Sequence, residues 1–427
     1  MTTTPVHPGI PSAEAEREPK GYILKYGLAS YGLFLAILTP VLGGLSIKLQ
    51  TLNNGDLEAA ASQLALVTGI GALFALVAQP LVGRLSDRTT AAMGMRKPWI
   101  LAGVIGSAAC LITIGFATNL ATILVAWCLA QVFSNFAQAA ETATIPDQVP
   151  AQRRGIVSGI VGACTPLAIL TGAVGLAAFG SDALRFTVPA VIGLVLGLWF
   201  ALTLRDRVLR EKPAERLSVK EFFTSFVFNP RAFPDLGWAW LTKFMVMFGY
   251  ASIGTYLTLF LGAKFGMSTA EQAQFNMFAN IAMVAAMSAM SLIGGRLSDR
   301  VGKRRVFVTV GAIIAGIGIA VMAISPFFGS AGLGVILFAE VVIGAGVGLF
   351  LAVDMALCTE VLPNPEDTAK DLGVLNIANA LPQSLAPMLA GPIIVAAGGA
   401  GYTVWFGIGA LVAVAGGILV YRIKGVK

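Results

Sequence analysis

Charged side chains are scarce here: Asp, Glu, Lys and Arg make up 12% of the residues, about half the share of a soluble domain. Histidine is nearly absent. The one histidine, His7, lies in a polar amino-terminal stretch, which excludes an imidazole proton relay inside the protein. Cysteine is rare too, and Cys110, Cys128, Cys164 and Cys358 fall in or at the ends of apolar stretches without metal-type spacing. Neither a metal site nor a disulfide framework is expected, and the four read as small packing residues. No Cys/His pair and no Gly-rich loop with a P-loop lysine occurs. An enzyme and an ATP-driven machine are therefore both disfavoured, and no cofactor is expected. The hydrophilic segments are too small for the output domain of a sensor.

Apolar residues fill the gap, at 56% of the chain with a mean hydropathy of +0.81. Stretches of membrane-spanning length recur at 26–48, 63–83, 99–118, 120–144, 156–179, 186–204, 236–261, 273–294, 306–328, 332–356, 373–397 and 402–422. Each is long enough to cross a core of about 30 Å as a helix rising about 1.5 Å per residue. Backbone groups have no water partner in hydrocarbon, and runs this long exclude barrel strands. The expected class is an all-α membrane protein with twelve transmembrane helices.

A net charge of +7 raises nucleic acid as a partner, but the positions of the cations give a different reading. With an even number of spans both termini share one side, and all of the 29 Lys and Arg except Lys48, Arg185, Lys243 and Lys264 lie on it. That is the positive-inside bias, so both termini are expected in the cytoplasm, the membrane is expected to be the plasma (inner) membrane, and the partner is lipid and not nucleic acid. Residues 1–20 lack the features of a cleaved signal peptide, so the first span is expected to serve as an uncleaved insertion signal. The expected layout is a tail at 1–25, a six-helix bundle at 26–204, a linker at 205–235, a second six-helix bundle at 236–422 and a tail at 423–427. Within the linker, Val219, Phe222, Phe223 and Phe226 have helical spacing, consistent with either a surface helix at 218–228 or a plain tether.

The hexapeptide "GRLSDR" occurs at Gly83 to Arg88 and again at Gly295 to Arg300, which points to duplicated halves. Overlaying the halves puts Glu141 on Asp354, Asp147 on Glu360 and Pro150 on Pro363. Each half thus has one acid inside its fourth span and a second about 9 Å further on, at the mouth. Two parallel six-helix halves joined by a cytoplasmic linker resemble the major facilitator superfamily. In "GRLSDRVGKRRVFV", Gly295, Leu297, Asp299, Arg300, Gly302, Lys303 and Arg304 match its loop pattern G-x-L-x-D-R-x-G-[RK]-[RK]. The longer first copy, "GRLSDRTTAAMGMRKPWI", and the segment "SNFAQAAETATIPDQVPAQRRG" are similar to the glycoside:cation and sucrose:proton symporter branches.

That resemblance implies a cytoplasmic gate. Gly83 and Gly295 would let helices approach closely, and Asp87 and Asp299 would face a helix amino terminus. Arg84, Arg88, Arg296 and Arg300 would reach the mouth acids Asp147 and Glu360 and latch the cytoplasmic side; the alternative is that these charges only stop the helices at the interface.

On the fourth span Trp127, Gln131, Asn135 and Gln138 continue to Thr142 along one helical face. Polar groups in hydrocarbon must face a neighbour or a wet cavity, so the stripe reads as substrate-binding groups or as interhelical glue. Amides suit hydroxyls and an indole suits a sugar ring. In the tenth span Gly344 and Gly348 fall opposite Gln131 and Asn135, which suits close packing or bending. Glu141, Asp354 and Glu340 are the acids within spans and the candidates for carrying a proton, Glu340 being expected to be exposed to the outer half of its span. Lys25 and Lys243 could each neutralise the acid of its own half. Two structural ion pairs and a proton-exchanging pair both fit. The second span, 63–83, has no acid, which disfavours sodium. The expected activity is proton-coupled symport of a small polar solute, a sugar or glycoside, by a monomer. Export of amphiphilic compounds is the alternative, encouraged by the Met and Phe of "KFMVMFGYASIGTYLTLF".

Overall fold

The computed structural model describes residues 19–209, 231, 233–361 and 368–425, and these are helical with no strand. The expected surface helix at 218–228 lies outside the described residues. In the first half α1 (Tyr22–Thr39) passes through a π-helical turn at Pro40–Gly44 into α2 (Leu45–Leu52). It continues with α3 (Leu57–Ser86), α4 (Lys97–Phe116), α5 (Leu120–Gln148), α6 (Arg154–Ala178) and α7 (Asp182–Thr203). The second half holds α8 (Pro234–Gly254), α9 (Leu257–Phe265), α10 (Thr269–Val301) and α11 (Arg304–Ile324). It ends with α12 (Gly332–Glu360), α13 (Thr368–Ala396) and α14 (Gly401–Leu419).

Nine helical runs among the described residues are long and apolar enough to cross a membrane. One of them, Arg304–Cys358, contains both α11 and α12, and the pair α8 with α9 adds a further crossing. With α13 the crossings number twelve, the first made by α1 with α2. The seventh departs from the single helix expected at 236–261. It breaks after Gly254 and bends by 50°, where a glycine followed by a β-branched threonine weakens the helix.

Four of the helices that start at the end remote from the termini begin on side-chain caps, whereas α12 and α14 do not. Asp56, Asn119 and Ser181 accept from backbone N–H groups of α3, α5 and α7, and Ser268 forms a capping box with Glu271 at α10. This remote end is called distal below, and the other the terminal end. Lys48 and Arg185, two cations outside the terminal cluster, meet around Asp182 distally at 3.7 and 3.4 Å.

The two halves meet through α3 against α13 and α6 against α10. Distally they share one apolar core, in which Leu45, Leu49 and Phe186 join Tyr256, Phe260 and Trp405. Toward the termini the cores separate, one around Tyr22, Ile100 and Phe200, the other around Leu236, Val308 and Phe350. Hydrogen bonds close the distal seam. Ser46 Oγ donates to the Thr255 carbonyl freed by the break (3.1 Å), and Asn276 Nδ2 donates to Leu42 O in the π-helical turn (2.9 Å). Tyr256 Oη reaches both Ala61 O (3.1 Å) and Pro387 O (3.2 Å). The buried amides of Gln50 and Gln272 pair reciprocally at 2.9 and 3.1 Å.

Gln272→Leu is expected to loosen the seam by about 1–3 kcal/mol, because Gln50 is left with an unmatched buried amide; replacing both by leucine is close to neutral. Distances between spin labels on the distal loops measure this, and a single variant no looser than the double one contradicts it.

Candidate substrate pathway and latch

The polar stripe lies on α5, which packs against α3 and α4. Its opposite face carries exposed Val125 and Leu129, as a lipid-facing surface does. Gln131, Asn135 and Gln138 are half-buried and Thr142 is exposed. Asn135 Nδ2 donates to Gln131 O at 2.8 Å and Thr142 Oγ1 to Gln138 O at 2.8 Å, so these two turn partly back onto their own helix. Trp127 differs from the expectation. It is 1% exposed within the shared distal core, and a Cβ at Gly71 of α3 would stand 2.4 Å from its Cδ1. The bare glycine backbone takes the indole edge, leaving no ring face open for stacking, and Nε1 has no partner among the described residues. Opposite, Gly344 and Gly348 of α12 pack on the α10 backbone, where an added Cβ would stand 2.2 Å from Met283 O and from Met287 O.

The three intramembrane acids are not equivalent. Asp354 Oδ2 lies 2.7 Å from Lys243 Nζ, both buried, and Cys358 Sγ approaches Asp354 Oδ1 at 3.7 Å. Glu141 is 2% exposed and its Oε1 has no partner. The expected Lys25–Glu141 pair is absent, because Lys25 Nζ instead lies 5.8 Å from the centre of the Trp199 ring. One residue is about 100° of helix rotation; Tyr22 and Tyr26 take the α1 face toward α5, and Lys25 is turned off it. Both tyrosines lie within electrostatic reach of Glu141, and Tyr22 Oη bonds Thr144 Oγ1 at 2.6 Å. In the overlay that matches Glu141 with Asp354, Lys243 falls on Ser30, which neighbours Tyr26. The first half thus has a hydroxyl where the second has an ammonium. Glu340 departs from its expected exposure, being 3% exposed near Tyr250.

At the terminal end each mouth acid is held by an arginine, though not by one from the hexapeptide. Arg96 Nε lies 3.1 Å from Asp147 Oδ2, and Arg304 Nη1 lies 3.0 Å from Glu360 Oε1. Both arginines stand two residues beyond a loop glycine, Gly94 or Gly302, so the duplicated pattern contained the signal. Arg96 is buried and also binds Asp87 Oδ1 (2.6 Å) and Ser86 Oγ (2.6 Å), so Asp87 faces this guanidinium where a helix amino terminus was expected. Arg84 and Arg88 have partners of their own, whereas Arg296, Asp299 and Arg300 are exposed. A Cβ at Gly83 or Gly295 would meet nothing within 4 Å, so neither marks the close helix approach expected there.

Asp206, the second residue of the expected linker, completes the hub. Its Oδ2 accepts from the backbone N–H of Arg96 and Lys97, both at 2.7 Å. Gly94 sits at φ 113°, a region that favours glycine, and a Cβ there would stand 2.2 Å from Asp206 Oδ2. Nothing in the hexapeptide pointed to Asp206, which comes from a distant part of the chain.

The model of the "Major Facilitator Superfamily" matches residues 26–288 and 272–426. A multidrug resistance protein MdtG of Rahnella sp. (strain Y9602) is 27% identical over 297 residues, covering 67% of this chain and 68% of the relative. Its counterpart in Klebsiella pneumoniae (strain 342) is 29% identical over 255 residues, and the chain spans only 57% of that relative's length. Among solved structures, a D-xylose–proton symporter aligns with a TM-score of 0.69 at 15% identity, over 95% of this chain and 98% of the other. A bacterial Spinster homologue in an inward-facing, unoccupied conformation aligns at 0.68 and 17%, over 95% and 96%. At these identities the structures show the fold alone. The chain is an integral, multi-pass membrane protein and belongs to the major facilitator superfamily, a family of transporters and not of enzymes.

Proposed function

We propose that the protein moves a small hydroxylated solute, of the sugar or glycoside class, by proton-coupled alternating access. The observation that carries this reading is a half-buried amide stripe on α5 ending beside Glu141, an acid buried without a cation partner among the described residues. Gln131 and Gln138 offer donors and acceptors to hydroxyls. An ionised carboxylate buried alone is costly, so Glu141 is suited to take a proton or a cation from solution. With the positive-inside bias placing the terminal end in the cytoplasm, the sealed distal seam and separate terminal cores correspond to a conformer open to the cytoplasm. The arginine pairs at Asp147 and Glu360 then tie loops to the helix mouths at the open end.

A second reading is proton-driven export of amphiphilic compounds, favoured by the multidrug names of the relatives. The burial of Trp127 favours it too, since no ring face is left for a sugar to stack on. Proteoliposomes separate the two. The sugar reading expects one of a panel of mono- and disaccharides to accumulate under an imposed proton gradient and not under a sodium gradient. Failure of every sugar to accumulate, together with gradient-dependent extrusion of a fluorescent amphiphile, would establish export instead.

A further inference from the structure

Lys25, displaced from Glu141, lines a cavity at the terminal end of the first half. The hollow is small, about 20 Å³, and partly open, and we propose that its mouth binds the phosphate-bearing headgroup of an anionic phospholipid. Three basic residues line the hollow from three segments: Lys20 before α1, Lys25 within α1, and Arg205 after α7. Among the described residues no acid lines the hollow, and none of the three forms an ion pair. Each is placed by a defined contact. The chain turns through a left-handed Gly21 (φ 73°), with Tyr22 N donating to Pro19 O at 3.0 Å, and this sets Lys20 at the rim. Gln148 Nε2, from the end of α5, donates to Arg205 O at 2.7 Å. Lys25 rests over Trp199.

Like charges gathered around one hollow repel each other unless an anion sits among them. A phosphodiester supplies that charge and accepts charge-assisted hydrogen bonds from cations around it. The surroundings select a lipid over a free anion. Leu24, Trp199 and Leu202 are 63%, 40% and 68% exposed on the same segments, an apolar flank for acyl chains beside a tryptophan at the level where interfacial tryptophans collect.

Native mass spectrometry of the full-length protein in uncharged detergent tests this, with short-chain phosphatidylglycerol, phosphatidylcholine and inorganic phosphate as probes. Phosphatidylglycerol is expected to bind about thirtyfold more weakly to a Lys20→Gln/Lys25→Gln variant, from about 1 kcal/mol per cation. Phosphatidylcholine should bind both chains alike. A Lys20→Arg/Lys25→Arg variant should bind phosphatidylglycerol as the parent does, which separates lost charge from damaged folding. Equal phosphatidylglycerol binding by the parent and the glutamine variant would overturn the proposal. Displacement of the lipid by inorganic phosphate at matching concentration would overturn it as well, making the site one for a soluble anion.

Discussion

A chain carrying Glu141→Gln is expected to equilibrate its solute across a sealed vesicle but not to concentrate it, whatever proton gradient is imposed. Three features lead there. The carboxyl is buried, it lies on the helix that carries the amide stripe, and the residue that the overlay of halves matches to Lys243 is Ser30 and not a lysine. Glutamine keeps the shape and the hydrogen-bonding capacity but cannot exchange a proton. Binding and the rocking of the halves should therefore persist, so that exchange of labelled for unlabelled solute continues at close to the parent rate. Uptake that still follows the pH gradient in this variant would remove Glu141 from the coupling role. Glu340, buried in the other half, would then be the next acid to test.

The second large effect concerns stability. Asp354→Asn is expected to lower it by about 3–5 kcal/mol, because Lys243 is left as a buried charge without its counter-ion. The double variant Lys243→Met/Asp354→Leu removes both charges and should recover most of the loss, since apolar replacement of a buried pair is often neutral or better. Thermal unfolding in detergent measures both. Accumulation by the double variant separates roles: a structural pair leaves coupling intact, whereas a proton-exchanging pair would abolish it as Glu141→Gln does. An Asp354→Asn chain as stable as the parent would show that Lys243 is not held by this acid.

The spans were legible in the sequence because hydrocarbon leaves a helical backbone little alternative, and long apolar runs record that constraint directly. The Lys243–Asp354 contact was legible as well, from one cation and one acid in the same half. The same reasoning misplaced Lys25, since shared membership of a half does not fix the direction of a side chain around α1. The overlay held the correction: aligned with Asp354, Glu141 has Ser30 in the lysine's place. Trp127 was misjudged because its neighbour, Gly71, is a residue without a side chain on another helix. Asp206 and the Gln50–Gln272 pair depend on contacts between remote segments, which local periodicity does not carry. The break after Gly254 left only a weak mark, a glycine beside a threonine in an apolar run.

The chemistry of the distal seam has an electrical consequence. Gln50, Gln272, Asn276, Ser46 and Tyr256 close it with amides, hydroxyls and carbonyls alone. Carrying one elementary charge through the membrane field involves about 2.3 kcal/mol per 100 mV, but parting these neutral groups transfers none. Parting the seam contacts themselves therefore adds no voltage-dependent work, and under the coupling role proposed for Glu141 voltage would act through the proton it carries.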